Sequence, residues 1–143
     1  MVELVPVRAI DASWATLDDW ELLLVLHRHE RYWDGLITND DAMLSLAKEM
    51  TVLSQTGLTL VVAKGEGHNP IRAVGALLCH LPHICHHTTP KHAQIWTLRV
   101  AQKSHEEVQA YLNKIAQRSS TTVGKIVADN RVSNSQLRKT EPP

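Results

Sequence analysis

Residues 79–92 read CHLPHICHHTTPKH and hold both cysteines and five of the nine histidines of the 143-residue chain. Thiolate and imidazole are donors that zinc prefers, so Cys79, His83, Cys85 and His86 or His87 are metal-ligand candidates by type. Their spacing argues the other way. Structural zinc sites join two separated ligand pairs, whereas these residues share one short segment that also contains Pro82 and Pro90. The sequence reading is therefore no metal, and a solvated connector whose histidines titrate near neutrality. A Cys79–Cys85 disulfide does not suit a reducing compartment, and no nucleophile motif surrounds either thiol. A second group, HRHERYW at 27–33, places His27 and His29 two residues apart, so on a helix they diverge and do not make the i,i+4 zinc pair.

The elements that must position these residues follow from periodicity. ELVPVRAI reads as a short strand, with Pro6 favouring an edge. DDWELLLVLHRHERYW reads as a helix with Asp18 and Asp19 at its positive end. TNDDAMLSLAKEMTVL is a second helix capped by Asn39, with Asp40 as another capping candidate. LTLVVA and IRAVGALLCHL, separated by KGEGHNP, form a hairpin signal. AQIWTLRV is the next strand, with Trp96, Leu98 and Val100 on one side and Ile95, Thr97 and Arg99 on the other. SHEEVQAYLNKIAQ carries a Ser104/Glu107 capping box and a face of Val108, Tyr111, Leu112 and Ile115. VGKIVAD is a strand, and NSQLRKT a short final helix. The expected order is β-α-α-β-β-β-α-β-α, a single mixed α/β domain over 1–143, with the Cys/His stretch connecting two strands.

Composition narrows the function classes. Hydrophobic residues make up 43% and charged residues 21%, an ordinary globular balance. Fifteen basic and fifteen acidic residues cancel, which gives no electrostatic case for nucleic acid or a membrane surface. Arg72 and the basic residues of QLRKT are too scattered for nucleic-acid readout. No apolar run reaches the roughly 20 residues of a membrane span, and MVELVPVRAID lacks a signal-peptide layout. The expected setting is cytoplasmic, with reduced thiols.

LVPVRAI, LTLVVAKGEGHNPIRAVGALL, AQIWTLRV and KIVADNRVSNSQLRK, in that order, resemble the GNAT (Gcn5-related) N-acetyltransferase superfamily over nearly the whole chain. The resemblance implies a central, mostly antiparallel sheet flanked by helices. It also implies acetyl-CoA near Val100, Gln102, Lys103, Ser104 and Asn130, with Trp33, Asp34 and Asp40 on the acceptor-amine side. Several family features depart here. VAQKSHEEVQAYL has no glycine where the family's phosphate loop stands, and Glu106 and Glu107 would repel a pyrophosphate. Leu137 aligns with the family's tyrosine, Gln94 with an acidic position, and Glu141-Pro142 with the Gly-Phe that precedes its last strands. The expectation is a domain without cofactor that has lost acetyl-CoA chemistry and works through protein–protein contacts. A partner or a second copy would dock on a sheet edge left open after VGKIVAD. Short members of this kind occur in tailed bacteriophages, which extends the expected setting to a virion or an infected host cell. The alternative is an acetyl-CoA-dependent N-acyltransferase with a divergent cofactor loop.

Overall fold

The computed structural model describes residues 2–64, 69–99 and 102–139. The chain is mixed α/β. In order it forms α1 (Val7–Ile10), a 3-10 turn (Ala12–Thr16), α2 (Asp19–Arg28), β1 (Gly35–Thr38) and a second 3-10 turn (Ala42–Ser45). Next come α3 (Ala47–Thr56), β2 (Thr59–Ala63), α4 (Pro70–His87), β3 (Gln94–Arg99) and β4 (Gln102–Glu107). Helices α5 (Val108–Arg118), α6 (Val123–Asn130) and α7 (Asn134–Leu137) complete it.

The four strands lie side by side in the order β1-β2-β3-β4. β1 and β2 are parallel, β2 and β3 are parallel, and β3 and β4 are antiparallel, with Gln94 opposite Glu107 and Arg99 opposite Gln102. The sheet is thus mixed, with two of its three pairings parallel, instead of the mostly antiparallel sheet expected. Parallel neighbours need a crossover of a dozen residues or more, and α3 and α4 supply the two crossovers.

The largest departure from the sequence reading is α4. IRAVGALLCHL is the front of an 18-residue helix, not the second strand of a hairpin. Length is the physical reason: the segment from Ala73 to His87, free of Asp, Glu, Lys and Arg and without a turn signal of Gly-Asn-Pro type inside it, is far longer than the roughly 4–8 residues of an ordinary strand. The helix also has a proper start, because Asn69 Oδ1 accepts from the Arg72 backbone N–H and Pro70 occupies the first turn. The Cys/His stretch therefore rides on the last turns of this helix and the segment after it.

Three further assignments change. LVPVRAI holds no strand; Val7–Ile10 is a single helical turn after Pro6. SHEE belongs to β4, and α5 starts at Val108; the Ser104 hydroxyl meets the Thr97 hydroxyl across the β3–β4 pair at 2.5 Å. VGKIVAD is α6, capped by the Thr122 hydroxyl on the Lys125 N–H. The sheet edge expected after VGKIVAD does not exist; the edges are β1 and β4. β1 itself, GLIT, falls where the sequence reading placed no strand.

Strand alternation divides the core between two faces. Leu36, Leu60, Val62 and Ile95 point into a large cluster with Leu23 and Leu26 of α2, Met50 and Leu53 of α3, Leu112 and Ile115 of α5, and Ile126 of α6. Val61, Trp96 and Leu98 point the other way and meet Ala76 and Ile84 of α4. Both crossovers step in the same direction across the sheet yet lie on opposite faces. They consequently have opposite hands, and one departs from the right-handed rule.

Two glycines are required by backbone geometry. Gly57 ends α3 with φ of +68°, the left-handed stop that a side chain disfavours. Gly35 lets β1 approach β2 so closely that a Cβ would run into the Thr59 carbonyl. Gln55 ties α3 to the segment after α6: its side chain donates to the Val132 carbonyl at 3.0 Å and accepts from the Val132 N–H at 2.9 Å.

Candidate functional site

Open sheets with parallel strands bind ligands outside the carboxyl ends of those strands. Here that end carries the loop after β1, Asn39-Asp40-Asp41. Asp40 Oδ1 accepts from the Ala42 N–H at 2.9 Å, and the Asp40 N–H donates to the Thr38 hydroxyl at 3.0 Å, so this carboxylate caps the following turn. The start of α2 comes close to it. Asp18 and Glu21 form a true capping box, with the Asp18 N–H donating to Glu21 Oε2 at 3.0 Å. Asp19, next in line, has its pKa raised, first by burial and then by the charges of Asp40 and Asp18.

Glu49 of α3 completes the group. It is only 8% exposed, and burial is the main cause that raises its pKa. Its own backbone N–H and Lys48 pull the other way, while Asp19 and Asp18 add to the rise. Lys48 sits with its ammonium 4.8 Å from the centre of the Trp20 ring. The result is a concentration of negative charge from three elements with little positive charge to balance it. Perturbed carboxylates of this kind mark functional regions more often than ordinary surface. Beside the same loop, on the α4 face, lies a groove of about 380 Å³ lined by Thr38, Asn39, Val61, Ala63, Val74 and Leu77. Among the described residues, no three His, Cys, Asp or Glu side chains form a group able to hold a metal ion.

The residues singled out from sequence scatter over several places. Trp33 and Asp34 stand before β1, at the opposite end of that strand from Asp40. The Trp33 indole N–H donates to His29 Nδ1 at 3.1 Å, Trp14 meets the His29 ring edge-on, and the Arg31 guanidinium covers Trp33 at 4.5 Å. Those contacts make Trp33 a packing residue of the α2 end. Val100 lies outside the described residues. Gln102, Lys103 and Ser104 belong to β4, and Asn130 ends α6 with its amide donating to the Ile126 carbonyl at 2.8 Å. These positions do not form the start of a helix, the feature that would offer convergent N–H groups to a pyrophosphate.

On α4, Cys79, His83, Cys85 and His86 all lie within three turns. Both thiols are free, and burial together with the Asp34 charge pushes the Cys85 thiol up, which disfavours the thiolate a metal would need. His80 Nε2 lies 3.2 Å from the Arg99 carbonyl, and His83 stands edge-on to Trp96, which stacks on His105 at 4.5 Å between ring centres. Sequence reasoning missed two things. The carboxylate group joins positions 18, 19, 40 and 49, which no local motif links. The front of α4 also exposes an apolar stripe: Ile71 is 85% exposed, Val74 53% and Leu78 64%.

The chain matches no family model, no curated protein and no solved structure. Among the described residues, no helix is long and apolar enough to cross a membrane.

Proposed function

We propose that this domain acts through protein–protein contacts, with the outer face of α4 as the docking element. The exposure of Ile71, Val74 and Leu78 carries the reading. At i, i+3 and i+7 they form one helical stripe, and three large apolar side chains in a row on a solvent face mark an interaction surface better than singly scattered ones. From 73 to 90 the sequence has no Asp, Glu, Lys or Arg, so the matching surface is apolar and uncharged as well. A second copy of the chain meets that description by two-fold symmetry. β4, by contrast, is a polar edge strand (QKSHEE), the composition that discourages edge pairing.

Light scattering after size exclusion tests this across a range of concentrations. The reading expects a dimer that the double variant Ile71→Ser/Leu78→Ser converts to monomer without loss of secondary structure. A wild-type chain that stays monomeric at high concentration, or a double variant that still dimerises, overturns it.

A second reading rests on the gathering of Asp18, Asp19, Asp40 and Glu49 at the loop after β1, where burial and mutual charge raise the Asp19 and Glu49 pKa values: these carboxylates receive a cationic amine. Calorimetric titration with spermidine tests it. Binding that disappears in Asp19→Asn supports it, and no heat at millimolar ligand ends it. The acetyl-CoA alternative falls to the same kind of titration with the cofactor, where binding weakened by substitution on β4 is the outcome it requires.

A further inference from the structure

The free edge of β1 offers a surface that the α4 stripe does not use. The Asp34 carbonyl accepts from the Thr59 N–H, and in a parallel ladder alternate residues face the neighbouring strand. Leu36 therefore bonds to β2, while the N–H and C=O groups of Gly35 and Ile37 face away from the sheet. Native edge strands are usually blunted by charge or by proline. GLIT has neither. A cavity of about 350 Å³ lies along this edge and reaches round it: Leu26 and Leu36 line it on the side of the large core, Ile37 and Leu77 on the α4 side. Its remaining wall includes the segment 3–7, which makes no backbone hydrogen bond to β1 among the described residues.

The groove beside the loop after β1 shares Ile37 and Leu77 with this cavity, so the two make one trough along the strand. Among the described residues Glu3 is the only charged one that lines it, and Glu3 is paired with Arg31. Past Asn39 the trough ends at Asp40, whose charge lies within reach of Asp19. It is thus apolar along its length and negative at the carboxyl end of β1. We infer that this trough takes an extended segment of a partner protein as an added strand, apolar at alternate positions and headed at its N-terminal end by lysine or arginine. Added strands gain affinity from main-chain hydrogen bonds and specificity from pockets for alternate side chains. Antiparallel pairing is the more stable per residue, and it brings the N-terminal end of the segment to Asp40.

The four residues of β1 span roughly 13 Å, so with the reach to Asp40 a segment of about six residues fills the trough. Its apolar side chains meet Ile37, Val74 and Leu77. Its basic head meets Asp40, Asp19 and Asp18, an attraction that salt screens. The surface goes beyond the self-association stripe: Ile71 and Leu78 line neither cavity, and Val74 alone is common to both.

The test uses the full chain carrying Ile71→Ser/Leu78→Ser, so it stands whether or not the wild type dimerises. The probe is a fluorescein-labelled peptide, Lys-Lys-Val-Thr-Val-Thr-Val, titrated by fluorescence anisotropy. Saturable binding of one peptide per chain is expected, with slower deuterium exchange at the Gly35 and Ile37 amides. Replacing both peptide lysines by glutamate should weaken binding by roughly tenfold or more, and methylating alternate peptide nitrogens should do the same. In the protein, Ile37→Lys should weaken it to a similar degree while circular dichroism stays unchanged. Absence of saturable binding at millimolar peptide, or equal binding by the glutamate or the N-methylated peptide, overturns the proposal.

Discussion

The two faces of this sheet are built to different specifications. Among the described residues, one carries nineteen buried apolar residues, from α2, the second 3-10 turn, α3, α5, α6, the strands and the segments at Leu58 and Val132; the other carries five, under α4 alone. The strands serve both by simple alternation, Leu60 and Val62 to the thick face and Val61 to the thin one. The contrast separates the residues that hold the fold from those free to do something else. On the thick face, nearly every apolar side chain has a neighbour. On the thin face, one helix has apolar residues on both sides, inward at Ala76 and Ile84 and outward at Ile71, Val74 and Leu78.

The largest expected effect comes from opening the thick face. Leu53→Ala should cost about 2–5 kcal/mol in urea unfolding, because a fully buried leucine leaves a cavity among rigid neighbours. Ile84→Ala should fall at or below the bottom of that range; equal losses would erase the distinction between the faces. Gly35→Ala tests the strand where both faces meet. Its Cβ would collide with the Thr59 carbonyl, and overpacking of this kind costs roughly 1–3 kcal/mol, read as a lowered Tm.

Smaller effects come from ionisation on the thick face. Burial raises the Glu49 pKa above its ordinary 4.5, so the folded chain holds this proton more tightly than the unfolded one. Stability then falls as pH rises from about that value through the folded pKa. Glu49→Gln should remove this slope and raise Tm at pH 7 by a few degrees in scanning calorimetry.

His27 of α2 acts in the opposite sense. Burial is the main cause that lowers its pKa below the ordinary 6.5, with Lys139 adding to it and backbone partners at Leu137 and Thr56 opposing. The unfolded chain binds the proton more tightly, so this contribution is complete above pH 6.5 and is lost as pH falls from there to the folded value. His27→Gln should flatten the denaturation midpoint across that window, and an unchanged slope would discard His27 as its source. The smallest effect belongs to the outer stripe. Val74→Ser should change monomer stability by no more than about 0.5 kcal/mol while weakening self-association.

Much of the thick face was legible in the letters. Val108, Leu112 and Ile115 recur at helical spacing and are buried as that spacing requires; LTLVVA and AQIWTLRV are strands, the second with Trp96 and Leu98 on one side and Ile95 on the other as expected. The thin face was not legible, for a reason the structure makes plain. A helix with apolar residues on both sides shows no amphipathic contrast, and Ile71, Val74 and Leu78 resemble strand residues until the length of the run is considered. β4 misled in the opposite way. Ser104 and Glu107 have capping-box spacing, but the Ser104 hydroxyl is committed to Thr97, and a polar edge strand shows no alternation. The HxxxH spacing of His83 and His87 was present throughout. It brings their rings together only on a helix, so it could not be read while the segment was taken for a connector.

The opposite placement of the two crossovers has a consequence for how the molecule breathes. Helix α3 is wedged among α2, α5 and α6, whereas α4 can lift from Trp96 and Val61 without disturbing that packing. Amide hydrogens of α4 should therefore exchange with deuterium through a partial opening, at a lower free energy than the global unfolding that exposes α3. Any ligand that closes on α4, on its outer stripe or along its β1 side, would slow that exchange before it measurably changed the rest of the fold.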